Sequence, residues 1–185
     1  MSSQATVLVV VAHGSESLET IVIVNLLRRA ELAVTVATIE TTTVIDGTRG
    51  VRFIADERLA DLQDRDWTLV VLPGGAGGAA ALGRHPPLVS LLEARNEADL
   101  PIAAICAAPA LVLAANGLLD GRRATGYPSF REWLPAYVDA AVVRDAHITT
   151  SQGPGTAIAF ALDLIEQLAG TSRRDAVAAG LLVAA

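Results

Sequence analysis

Short runs of β-branched and aliphatic residues alternate with helical patterns along this chain, and that alternation constrains its fold more than any other feature. Residues 7–11 (VLVVV) read as a strand, 17–30 as a helix and 34–39 as a second strand, the β-α-β rhythm of a parallel sheet. The unbroken aliphatic content of 7–11 predicts burial on both faces. The rhythm continues with strands at 69–72 and 102–105 and helices at 88–98 and 108–115, the latter closed by Asn116-Gly117. Farther along, 142–143 and 148–150 read as strands, 155–168 as a helix capped by Gly170, and 173–183 as a last helix. Asp46-Gly47, between 43–45 and 51–54, predicts an antiparallel edge with a loose hairpin turn. The chain has 185 residues and no repeat, low-complexity tract or linker, so the expectation is one domain, 1–185, folded as an α/β sandwich.

Composition removes several functions. Apolar residues make up 52% of the chain and charged residues 18%, which excludes disorder as the main state. The formal net charge is −6 and no block of like charges occurs, so a nucleic-acid footprint is missing and a small polar or electrophilic partner fits better. All fourteen basic residues are Arg; with no Lys there is no Schiff-base lysine, PLP anchor or P-loop lysine. One cysteine, Cys106, excludes an intrachain disulfide and a multi-cysteine zinc site and points to a reducing compartment. Residues 1–6 carry no basic leader, and the longest apolar stretch, 101–115, contains Pro109 and is too short to span a bilayer. The expected location is the cytoplasm, with no membrane partner.

In open α/β sheets ligands bind beyond the carboxyl ends of the strands, so the segments after each strand are where chemistry is expected. They are His13-Gly14-Ser15-Glu16-Ser17-Leu18-Glu19, Pro73-Gly74-Gly75-Ala76-Gly77-Gly78 and Cys106-Ala107-Ala108-Pro109. Cys106 stands where a strand turns directly into a helix, an elbow that presents a nucleophile outward, and the helix N-terminus is expected to lower its pKa to ~5 to 6. The competing reading is a buried, inert cysteine. Gly74 and Gly75 let backbone N–H groups point into a site, and with the Ala107 N–H they provide an oxyanion hole. Glu16 reads as a first-turn acid complementing the helix dipole, whereas Glu19 is placed to be enclosed, which would raise its pKa and let it shuttle a proton. His13, His85 and His147 are scattered and read as surface or loop residues, without metal-ligand spacing. Tyr127, in Thr125-Gly126-Tyr127-Pro128, is an aromatic hydroxyl in a loop after a plausible strand.

Four segments together resemble the ThiJ/PfpI superfamily, and within it the parkinsonism-associated deglycase branch: 14–20 (GSESLET), 72–75 (LPGG), 103–109 (AAICAAP) and 150–156 (TSQGPGT). The resemblance implies a flavodoxin-like three-layer sandwich, a mostly parallel central sheet with helices on both faces, and a homodimer. The apolar run Ile21-Val22-Ile23-Val24 exceeds the stripe that one core face needs, which is compatible with a partner chain. Carried over by position, the nucleophile is Cys106, the protonated glutamate Glu19 and the oxyanion amides Gly75 and Ala107. Arg49, Gly74, Tyr127 and Gln152 fall in the substrate pocket. The implied activity is a glutathione-independent glyoxalase or deglycase, without cofactor or metal, acting on small 2-oxoaldehydes or glycated amines and thiols. The alternative is a redox sensor or redox-regulated chaperone working through Cys106 oxidation. Ala107 replaces the histidine that follows the cysteine in peptidase branches, which sets proteolysis aside; glutamine amidotransferase chemistry lacks its His-x-Glu partner. Tyr127 and Gln152 stand where the branch has His and Arg in some members, and both match the bacterial YajL type.

Overall fold

In the computed structural model, which describes residues 4–62 and 65–183, the opening rhythm becomes β1 (Thr6–Val11), α1 (Ser17–Arg29) and β2 (Ala33–Thr38). A small ribbon follows, β3 (Val44–Asp46) and β4 (Arg52–Ile54), and then the short β5 (Glu57–Arg58). Next come β6 (Leu69–Leu72), α2 (Ala76–Leu82), α3 (Pro86–Glu97) and β7 (Ile102–Ile105). The chain ends through β8 (Arg123–Ala124), β9 (Ala136–Tyr137), β10 (Val142–Asp145), β11 (Ile148–Ser151), α4 (Ala157–Ala169) and α5 (Thr171–Gly180).

Seven of these strands form one sheet in the order β10-β11-β7-β6-β1-β2-β5, parallel throughout except for β10, which runs antiparallel to β11 at the edge. This is the flavodoxin-like α/β fold. From β1 the chain crosses to β2 on one side, while β6, on the other side of β1, crosses away to β7. Right-handed crossovers in opposite directions put α1 and the α2–α3 pair on opposite faces. Val7 through Val11 are fully buried, as a strand covered on both faces must be. The buried guanidinium of Arg95, on α3, donates to the carbonyls of Trp67, Thr68 and Pro101, tying the approach to β6 to the approach to β7.

Four expectations need correcting. The 43–54 hairpin is antiparallel but forms its own two-stranded sheet instead of an edge of the main one, because Gly14 N–H donates to the Asp46 carbonyl and Thr48 N–H to the Ser15 carbonyl, docking it on the loop before α1. The glycine-rich stretch after β6 is loop only through Gly75; Ala76 starts α2, where close backbone packing outweighs glycine's low helix propensity. The 108–115 segment is a five-residue π-helix, Pro109–Leu113, running into a 3-10 turn, with Gly117 at φ 72 ending it. His147 lies in the turn before β11, as a loop histidine should, but it is not at the surface: its side chain is buried, with Nε2 2.9 Å from the Asn96 amide oxygen and Nδ1 3.0 Å from the Asp99 carboxylate.

Candidate active site

The carboxyl ends of β1, β6 and β7 lie side by side at the switch point of the sheet, and each feeds one group into the same place. Cys106 follows β7 directly and has φ 66, a left-handed conformation that a cysteine holds only when its surroundings impose it. They do: Cys106 N–H donates to the Ser151 carbonyl at 2.9 Å, and its carbonyl accepts from Tyr127 N–H at 2.7 Å. The side chain is 8% exposed, at the floor of a cavity of about 500 Å³.

Glu19 comes up to the Cys106 side chain from the first turn of α1, behind the cavity lining, and is 0% exposed. Its Oε2 accepts from Gly74 N–H at 2.8 Å, while Oε1 is buried without a partner. Gly74 has no alternative: a Cβ there would collide with the Cys106 Cβ and lie 2.8 Å from Glu19 Oε2 and 2.9 Å from Sγ. Gly75, at φ 84, turns the chain so that its N–H points at the Cys106 sulfur, and the Ala107 N–H does the same from the elbow. The two amides assigned to an oxyanion hole thus converge on the thiol.

The electrostatics differ from the sequence-based expectation. Burial pushes Glu19 up to about 7, opposed by the Gly74 hydrogen bond and assisted by the neighbouring Glu16 charge. Burial also pushes the Cys106 thiol up to about 12, and the Glu19 charge adds to it; the Gly75 and Ala107 amides pull the other way. The expected acidification by a helix N-terminus does not dominate, because one short π-helical turn follows the cysteine and the sulfur is desolvated. Two buried acids in contact cannot both ionise, so the pair is uncharged below about pH 7 and carries one negative charge above it, on Glu19.

Of the pocket residues, Arg49 and Tyr127 line the cavity, with Arg49 at φ 58 in the turn between β3 and β4. Gly74 works from behind the sulfur and is no part of the cavity wall. Gln152 is turned away: its amide donates to Asp139 at 2.8 Å, so it is no pocket residue. Glu16 is both the N-cap of α1, accepting from Leu18 N–H, and a wall of the cavity. Thr48, Ser129, Phe130 and Pro154 also line it and were missed; they lie in turns whose positions no local pattern discloses. None of the three histidines lines this cavity, and His13 instead accepts the Asp46 N–H through Nδ1 at 3.1 Å. Among the described residues no group of three potential His, Cys, Asp or Glu ligands is clustered to hold a metal, and no helix is long and apolar enough to cross a membrane.

Comparison with known proteins shows the family and agrees with the fold. Residues 5–167 match the DJ-1/PfpI family. The chain is similar to Protein DJ-1 homolog A of Arabidopsis thaliana, 43% identical over 182 residues that cover 96% of this chain and 46% of that protein. It thus spans about half the length of that relative. A Caenorhabditis elegans protein named as a glutathione-independent glyoxalase is 31% identical over the whole of both chains. The solved structure of oxidized Toxoplasma gondii DJ-1 superposes with a TM-score of 0.95 at 38% identity, covering 98% of this chain and 100% of that one.

Proposed function

We propose, from the premise that this chain belongs to the DJ-1/PfpI family, that it converts 2-oxoaldehydes such as methylglyoxal, or their early adducts with amines and thiols, to 2-hydroxy acids without glutathione. The observation that carries the reading is the pairing of a single thiol with a buried carboxyl of raised pKa, under two converging backbone amides. The single charge of the resting pair sits on Glu19, whose carboxylate takes the Cys106 thiol proton as the sulfur engages the substrate, and the Gly75 and Ala107 amides steady the thiolate so formed. The thiolate attacks the aldehyde carbon, forming a C–S bond, and the carbonyl oxygen takes the negative charge and then the Glu19 proton. Ionised Glu19 next removes the proton from that carbon, giving an enediol, and returns it to the adjacent carbon. The first carbon is oxidised to a thioester as its neighbour is reduced to an alcohol, so the redox change is internal and no oxidant is consumed. Water cleaves the C–S bond, releasing the hydroxy acid and the thiol. The glyoxalase relative in Caenorhabditis elegans supports this reaction class. We place it in a reducing cytoplasm, where a lone thiol stays reduced.

The test is lactate formation from methylglyoxal by the purified protein without glutathione, beside Cys106→Ala. Wild type should exceed the variant by at least ~10²-fold; equal rates would remove the reading. Cys106 oxidation is the second reading, favoured because the Toxoplasma relative was solved in an oxidized form. A peroxide would then take the thiol through sulfenic to sulfinic acid, adding two oxygen atoms in the protein's mass.

A further inference from the structure

Trp, Tyr and Phe make up only 4% of this chain, yet Tyr127, Phe130, Trp133 and Tyr137 all fall in the one stretch 127–137, beside the thiol. Tyr127 and Phe130 form one wall of the Cys106 cavity together with Pro154. The Tyr127 ring lies against Gly153, where a Cβ would sit 3.2 Å from Cδ2 and 4.0 Å from the Cys106 sulfur, so the absence of a side chain lets the ring approach the reacting atom. Phe130 is braced from outside: the Trp133 ring meets it edge-on, with centroids 5.7 Å apart and planes at 77°, and Phe130 N–H donates to the Tyr127 carbonyl at 2.9 Å. Holding these rings in place has a cost, because Tyr127 is 44% and Trp133 59% exposed. Methylglyoxal has three carbons, whereas a cavity of about 500 Å³ is in the range that encloses a far larger ligand. The reaction itself uses only the floor.

We propose that the aromatic wall is a substituent subsite, and that the substrate preferred by this site is a 2-oxoaldehyde bearing a planar aromatic group, seated against Tyr127 and Phe130. The inference rests on the glyoxalase reading for the reacting end of the substrate, but the subsite can be read without turnover. Cys106 is the only cysteine, so alkylation by phenacyl bromide or bromoacetone can be followed by mass. In each case the sulfur displaces bromide and a C–S bond replaces the C–Br bond; the reagents differ in a phenyl against a methyl group. Rates are divided by those of N-acetylcysteine to remove intrinsic reactivity. Wild type should favour the phenyl reagent by about tenfold beyond N-acetylcysteine, the effect expected from burying one ring against others. Phe130→Leu, which keeps an apolar side chain, and Phe130→Ala should both bring the ratio to within about twofold of N-acetylcysteine. Trp67→Phe, in the wall of a separate cavity beneath α3, should leave it unchanged. A wild-type ratio equal to that of N-acetylcysteine, or one that survives both Phe130 variants, overturns the subsite. In the turnover arm, kcat/KM for phenylglyoxal should exceed that for methylglyoxal by a similar factor. No hydroxy acid from either substrate would defeat the glyoxalase reading, while the alkylation ratio would still decide the subsite.

Discussion

Glu19 is the residue on which chemistry and stability meet. A carboxyl fully enclosed by the protein costs least when protonated, and its value of about 7 against 4.5 for a free side chain states that cost. Below about pH 4.5 folded and unfolded chains both hold the proton; above it the unfolded chain releases the proton while the folded chain retains it until about pH 7. Stability therefore falls as pH rises through that window, by about 3 kcal/mol in all. Glu19→Gln should lose this dependence, so that urea denaturation at pH 5 and pH 8 shows a smaller decline in the variant than in wild type. Parallel declines would mean that Glu19 is not held neutral by the fold. The same variant keeps a donor facing the sulfur but cannot release and regain a proton, so its kcat on methylglyoxal should drop by ~10² to 10⁴-fold. The sequence disclosed Glu19 and Cys106 through their positions after strands, but not the upward direction of the thiol, because burial depends on what packs above it.

At the scale of elements, the site depends on two loops meeting backbone to backbone. The segment before α1 and the segment entering α2 have no side chain between them: Glu16 N–H donates to the Gly74 carbonyl at 2.9 Å, and a Cβ on Gly78 would lie 2.5 Å from Ser15 N and 2.7 Å from Ser15 Cα. Backbone cannot yield as a flexible side chain does, so Gly78→Ala should destabilise the protein by ~1 to 3 kcal/mol or more. Gly77, next to it and exposed, would place a Cβ no nearer than 3.9 Å from Gly14 Cα. Gly77→Ala should be neutral or stabilising by up to ~1 kcal/mol, since alanine is the better helix former. Thermal melts of the two variants check the contrast, and equal melting temperatures would contradict it. Sequence patterning finds the glycine-rich stretch but does not separate these two neighbours, because only the other loop distinguishes them.

For the whole molecule, several of the large apolar side chains left exposed lie on α1 or on elements docked against it. Of the aliphatic run on α1, Ile23 is buried and Val22 and Val24 are partly covered, which leaves Ile21, 49% exposed, beside Leu18. The β3–β4 ribbon, docked at the start of α1, exposes Val44, Val51 and Ile54, and α4, which packs on α1, exposes Ile158. Apolar side chains exposed on neighbouring elements are costly on an isolated chain, and we expect a second copy to cover them as a two-fold homodimer. Light scattering at micromolar concentration should give twice 19.2 kDa for wild type, with Ile21→Glu combined with Ile54→Glu returning it to 19.2 kDa. A wild-type mass of 19.2 kDa would rule the dimer out.

Sequence alone determined the parallel sheet, its buried β1, and the convergence of residues 14–19, 73–78 and 106–109, since periodicity sets which faces are buried and parallel topology brings strand ends together. It also carried the family, through four short segments kept in order. Tertiary structure alone decided that Gln152 turns to Asp139, that the ribbon leaves the main sheet for the loop before α1, and that Phe130 lines the same cavity as the thiol. Each of these depends on a partner distant in the chain, and so does the charge state of the Cys106–Glu19 pair: desolvation and hydrogen bonding act through space, and no local pattern of residues encodes them.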